Sequence, residues 1–134
     1  MLPAFNESGM LDATVAAIHE GFTSRKISFE IQIVENGSTD ETNQIAEQIC
    51  SRLPEVSTQS LGYADYGEAL RAGLKSSVGE VAIIFDVDYF DLDFADSALE
   101  VLDWSANPTG PVVVVGSKRA PGSSDNRSRL RRLA

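Results

Sequence analysis

Val81-Ala82-Ile83-Ile84-Phe85, followed by Asp86-Val87-Asp88-Tyr89-Phe90-Asp91-Leu92-Asp93, is the stretch whose reading decides the fold. Five consecutive apolar residues, mostly β-branched or aromatic, suit a strand buried on both faces, as in a parallel sheet covered by helices. The carboxylates then arrive at the strand's carboxyl end, the edge where open α/β sheets bind ligands. Asp86 and Asp88 are two apart. In a continuing strand both project to the same side and repel, unless a cation or hydrogen-bond donors stand between them. A hard divalent ion bridging to a phosphate meets that need. A solvated acidic turn is the competing reading, and this stretch alone leaves both open.

Outward from it the chain alternates strands with helices. Phe29 to Val34 alternates as a strand and ends in Glu35-Asn36-Gly37-Ser38-Thr39-Asp40. Ser38 and Glu41 have capping-box spacing and predict the start of a helix carrying Ile45, Ile49 and Leu53. Upstream, Leu11, Val15, Ile18 and Phe22 share one face of a helix from about Gly9 to Phe22. Downstream, a weak strand near Val56 to Ser60 precedes a helix over Glu68 to Ser77. After the carboxylates, Ala95, Ala98, Leu99 and Leu102 mark another helix. Asn107 to Pro111 breaks it, and Val112 to Val115 reads as a second fully apolar strand. The pattern predicts βαβ units and a mainly parallel sheet. Trp104 is expected to pack.

The 134 residues, 43% of them hydrophobic, suit one domain with a real core, and no apolar run approaches a membrane span. A soluble chain is expected, with nothing before Pro3 to serve as a signal peptide. The single Cys50 forms no internal disulfide and reads as core, and the setting expected is reducing and cytoplasmic. His19 reads as surface, since no His/Cys cluster accompanies it. The net charge of −9 is uneven: residues 1–117 hold five Lys/Arg against 19 Asp/Glu, and 118–134 hold six against Asp125 alone. An acidic body argues against a nucleic-acid surface. The basic tail over 118–134 reads either as a grip for phosphate or as a flexible, solvated terminus.

Six blocks in this order and spacing carry a family resemblance: Pro3-Ala4-Phe5-Asn6-Glu7, Glu35 to Asp40, Tyr66-Gly67-Glu68-Ala69-Leu70-Arg71-Ala72-Gly73, Gly79-Glu80, Asp86-Val87-Asp88 and Gly116-Ser117-Lys118. Together they resemble the family 2 glycosyltransferases, and within them the polyprenyl-phosphate (dolichyl-phosphate) sugar transferases, over nearly the whole chain. Asp-x-Asp alone is a weak signal, whereas six ordered blocks are hard to obtain by accident.

The resemblance implies a GT-A fold that binds a nucleoside-diphosphate sugar and passes the sugar to an acceptor such as a polyprenyl phosphate, in the making of cell-envelope glycans or lipid-linked sugars. By the same resemblance Pro3, Ala4 and Phe5 line the nucleobase, while Glu7 and Glu35 accept from ribose hydroxyls or base N–H groups. Asn36 stands where the family has a second Asp. Asp86 lies near ribose and diphosphate, and Asp88, with Asp86, holds Mg²⁺ or Mn²⁺. Phe90 occupies the place of a metal-assisting Gln and has no ligand atom; Asp91 is next to it. Lys118, Arg119, Arg127 and Arg131 are the candidates for the acceptor's phosphate. Peripheral attachment at a membrane surface follows from such an acceptor. The catalytic base remains unassigned.

The resemblance also implies two absences. The family has an apolar strand before the Pro-Ala motif, and Met1-Leu2 is expected to be too short to supply it. A sheet lacking that central strand is expected to oligomerise, to borrow a strand from a neighbour or to be marginally stable. The acceptor-side part of the family's domain lies beyond Ala134, so a module that binds without turnover is the alternative function. A haloacid-dehalogenase-type phosphatase also places Asp-x-Asp after an apolar strand, but Tyr89-Phe90 departs from the Gly-Thr expected there.

Overall fold

Ile31–Glu35 forms strand β2, buried along its whole length because it is the middle member of a three-stranded parallel sheet. This computed structural model describes residues 1–102 and 112–116. On one side β2 pairs with β1, Leu2–Ala4, in the register Leu2 to Ile33 through Ala4 to Glu35. On the other it pairs with β3, Val56–Ser60, from Ile31 opposite Val56 to Glu35 opposite Ser60. Helix α1, Leu11–Ser24, joins β1 to β2, and α2, Thr42–Arg52, joins β2 to β3. Helix α3, Tyr66–Ser76, then leads back across the sheet. This is the βαβ architecture that the alternation predicts, lying within a unit that spans Met1–Leu92.

The two faces of the sheet are told apart by side-chain parity. An added Cβ on Gly73 of α3 would lie 3.1 Å from Val34 Cγ2, and the Gln32 amide donates to Ser76 Oγ of α3 at 2.6 Å. Ile31 and Ile33 therefore project to the opposite face, where α2 packs on β2 and β3 with α1 beside it. Leu11, Val15, Ile18 and Phe22 of α1 are buried, as their spacing predicts. Each such side chain contributes about 1.5–3 kcal/mol by leaving water.

The first strand is present, which corrects the expectation that Met1-Leu2 is too short to supply it. Three residues suffice because both edges are partnered. Toward β2, Ala4 O accepts from Asn36 N at 2.9 Å; on the other edge the Met1 amine donates to Ile83 O at 2.8 Å and Phe85 N donates to Met1 O at 3.1 Å. Ile83 to Phe85 thus runs parallel to β1 in the fourth position of the sheet. Its pairing does not extend into a regular strand. Pro3, next in the same parity, has no N–H with which to continue the ladder. With β1 in place, the central edge on which oligomerisation was expected is filled.

Two further expectations are corrected. The chain does not continue as a strand through Asp86 and Asp88: Tyr89 N donates to Asp86 O at 3.2 Å, closing a tight turn with Val87 buried beneath it. Ser38 does not cap α2. Its hydroxyl instead accepts from Asn6 N at 3.0 Å, and the first helical N–H, that of Thr42, goes to Asp40 Oδ1 at 2.9 Å.

The second unit starts at Asp93 and contains most of α4, Leu92–Val101, in which Ala95 is buried. Val112 to Val115 forms no strand among the described residues, and Val113 is 82% exposed. An apolar run becomes a strand only where a neighbouring strand takes up its backbone groups. Trp104 and the basic tail lie outside the described residues.

Candidate donor-nucleotide site

The connection from β1 to α1 leaves on one face of the sheet, and that from β3 to the 83–85 segment returns on the other. The strand order therefore reverses between β1 and Ile83 to Phe85. A crevice outside the carboxyl ends of the strands at such a reversal is where open α/β sheets take ligands. A cleft of about 140 Å³ lies there, lined by Pro3, Ala4, Phe5 and Glu7 after β1, Asn36 after β2, Tyr66 at the start of α3, and Asp86, Val87 and Asp88. That is smaller than the roughly 300–1,000 Å³ of a cavity enclosing a drug-sized ligand, so it suits one moiety of a larger molecule.

The loops around the cleft are knitted by side chains. Asn6, at a φ of +56°, accepts from Thr39 N at 2.8 Å. Glu7 N donates to Thr42 Oγ1 at 2.8 Å and Ser8 N to Asp40 Oδ2 at 3.2 Å. The Thr42 hydroxyl and N–H, with Ser8, hold the Asp40 carboxyl down to about 2 against burial, which acts the other way. Much of the Glu35 to Asp40 block therefore joins two loops.

Glu35 does not line the cleft. It is 2% exposed, and its oxygens accept from Ser38 N and the Ser60 hydroxyl. Burial would raise its carboxyl, but these hydrogen bonds and one from Gly37 hold it below the usual range. Asn36 does line the cleft, and its Oδ1 also accepts from Asp65 N at 2.7 Å.

The cleft mouth is acidic. Burial, reinforced by Asp88, Asp40 and Asp86, raises the Glu7 carboxyl above its usual range. Asp86 and Asp88 are exposed on either side of Val87, whose carbonyl accepts from the buried Thr14 hydroxyl of α1 at 2.8 Å. Among the described residues no three His, Cys, Asp or Glu converge to hold a metal. The oxygen donors of Asp86 and Asp88 nonetheless fit Mg²⁺ or Mn²⁺, ions that commonly take one or two carboxylates and complete their shell with phosphate and water. Phe90 packs on Phe85, ring centroids 6.2 Å apart, and turns into the fold.

Two residues of this region, Tyr66 and Thr14, carried no role in the sequence reading. The Tyr66 hydroxyl donates to Asp86 Oδ1 at 3.3 Å. Tyr66 belongs to one of the six blocks, but its hydroxyl's partner is twenty residues away. Thr14 is marked only as a polar residue among the apolar positions of α1. Elsewhere, His19 Nε2 meets Glu55 Oε2 at 3.1 Å, and burial raises the Cys50 thiol, in keeping with a packing role.

The sequence model of the family described as Glycosyl transferase family 2 matches residues 1–133. The chain belongs to this family. A curated relative, dolichyl-phosphate beta-glucosyltransferase of Saccharomyces cerevisiae, is 27% identical over 135 aligned positions, which take in 88% of this chain and 40% of the relative. The chain thus spans two-fifths of that relative's length. A crystal structure of S. aureus TarS has the same fold, with a TM-score of 0.59 at 22% identity over 76% of this chain and 31% of the other. The fold of this family 2 glycosyltransferase chain is accordingly the GT-A arrangement. No helix among the described residues is long and apolar enough to cross a membrane.

Proposed function

We propose that the cleft binds the nucleoside diphosphate of a sugar donor, and that the protein transfers the sugar to a polyprenyl phosphate. The observation that carries this reading is the meeting of Pro3 to Phe5, Asn36 and Asp86 to Asp88 in one cleft at the reversal of strand order. Phe5 is 44% exposed there and offers a ring face to a base. Glu7 and Asp86 are acceptors for ribose hydroxyls. Glu35, tied to Ser38 and Ser60, keeps the end of β2 in shape beneath them.

Asp88, with Asp86, would hold Mg²⁺ or Mn²⁺, which when bound stabilises the charge that develops on the departing nucleoside diphosphate. The chain's own part is to orient base and ribose through Phe5, Glu7 and Asp86. Lys118, Arg119, Arg127 and Arg131 are assigned to the acceptor's phosphate, a role that suits their concentration in a tail distinct from the acidic body. Such an acceptor supports work at the cytoplasmic surface of a membrane, and the polyprenyl-phosphate chemistry is supported by the yeast relative's name.

Phe90 favours a second reading, binding without turnover, because it removes a donor atom from the metal's surroundings. Titration calorimetry of the full chain with nucleoside diphosphates and their sugars, with and without Mn²⁺, tests both. The donor reading expects Asp88→Ala to lose the Mn²⁺ dependence and Asp86→Ala to weaken binding even without metal. Nucleotide binding indifferent to both substitutions would overturn it. Tight binding with no transfer to polyprenyl phosphate would select the second reading.

A further inference from the structure

Tyr66 is the first residue of α3, and three contacts determine where it stands. Asp65 caps the helix by accepting from Glu68 N at 3.0 Å, while its own N–H is held by Asn36 Oδ1 at 2.7 Å. Gly37, at a φ of +73°, lies so close beneath the loop that an added Cβ would come within 2.4 Å of the Tyr63 carbonyl carbon. The connection from β3 to α3 is thereby pinned to the end of β2. Tyr66 is delivered into the same cleft as Phe5, 52% exposed, with its hydroxyl donating to Asp86 Oδ1 at 3.3 Å.

Asp86 needs such a partner. Asp88 and Glu7 face the same cleft, and Glu7 responds electrostatically to both aspartates. A carboxylate repelled by two others turns toward water unless a donor restrains it. A lysine would restrain it by neutralising the charge; a phenol does so with the charge kept. We infer that Tyr66 is a positioning residue for donor recognition, fixing one oxygen of Asp86 so that the carboxylate meets the hydroxyls of a ribose. Through Asp86, Tyr66 makes the cleft select ribonucleotides over deoxyribonucleotides. This rests on the donor-site reading above.

The test measures, by calorimetry with Mn²⁺, the affinities of the full chain and its variants for UDP and GDP, each beside its 2′-deoxy and 3′-deoxy forms. The parent is expected to prefer the ribose form. Tyr66→Phe keeps the ring and should weaken the ribose form about three- to tenfold, the share of one ordinary net hydrogen bond at an exposed site, while leaving unchanged the deoxy form that lacks the hydroxyl Asp86 meets. Asp86→Ala should erase the preference, and adding Tyr66→Phe to it should change nothing further. The ratio of the two affinities within one variant is independent of the fraction folded. Tyr66→Phe with the parent's ratio, or with both forms weakened equally, would overturn the positioning role and leave the donor site standing. No binding of either nucleotide by the parent would overturn both.

Discussion

The Thr14 hydroxyl of α1 donates to the Val87 carbonyl at 2.8 Å, with both residues buried. A helix on one face of the sheet thus holds the middle of the turn that presents Asp86 and Asp88 at its edge. Replacing Thr14 by Val keeps shape and removes the donor, leaving a buried carbonyl without that partner. The expected cost is about 1–3 kcal/mol of stability, read from urea denaturation. Nucleotide affinity should fall as well, because both aspartates ride on this turn. Unchanged stability and affinity would show that the bond does not hold the turn.

Gly37 gives a second prediction. Its φ of +73° costs an L-residue about 1–2 kcal/mol, and an added Cβ would run into the Tyr63 backbone. Gly37→Ala should therefore be destabilised beyond that backbone cost, whereas Gly62→Ala, with the same φ but nothing within 4 Å, should lose only the backbone part. Thermal melting of the two variants side by side separates conformation from contact.

The third prediction concerns acid. Hydrogen bonds from Thr42 and Ser8 lower the Asp40 carboxyl from its ordinary 3.8 to about 2. The folded state thus favours the ionised form, and the associated stability is present above the ordinary value and lost as the pH falls through about 2. The stability advantage of the parent over Asp40→Asn should shrink steadily from about pH 4 to pH 2 and be flat above about pH 5. A difference independent of pH over that range would rule out Asp40 as the acid-sensitive tie between the two loops.

Periodicity and breaker residues made α1, β2, α2 and α3 legible, because each buries apolar residues on a face, whereas β3, in which Val56 alone is buried, was legible only weakly. β1 was not legible: three residues carry no period, and their strand exists only through neighbours more than thirty and eighty positions away. Ser38 and Asn6 show the same limit at a finer scale, since a local capping signal lost to a partner from another loop. Most of the residues lining the candidate site were named from the six blocks, and Pro3, Ala4, Phe5, Glu7, Asn36, Asp86 and Asp88 do meet in one cleft. The blocks could not tell that Glu35 would face inward to Ser60, or that Tyr66 and Thr14 would be the residues touching the aspartate turn.

The bond between the Met1 amine and Ile83 O spans 82 positions. One wall of the cleft therefore comes from Pro3, Ala4, Phe5 and Glu7, and the opposite wall, Asp86 to Asp88, cannot meet it until two βα units and a third helix have been laid down between them. Contacts so far apart in sequence demand that chain entropy be surrendered before they return any energy. Partly folded forms with β2, α2 and β3 assembled would hold only part of the core and no cleft, so the ability to bind should arise only in the closing step of folding.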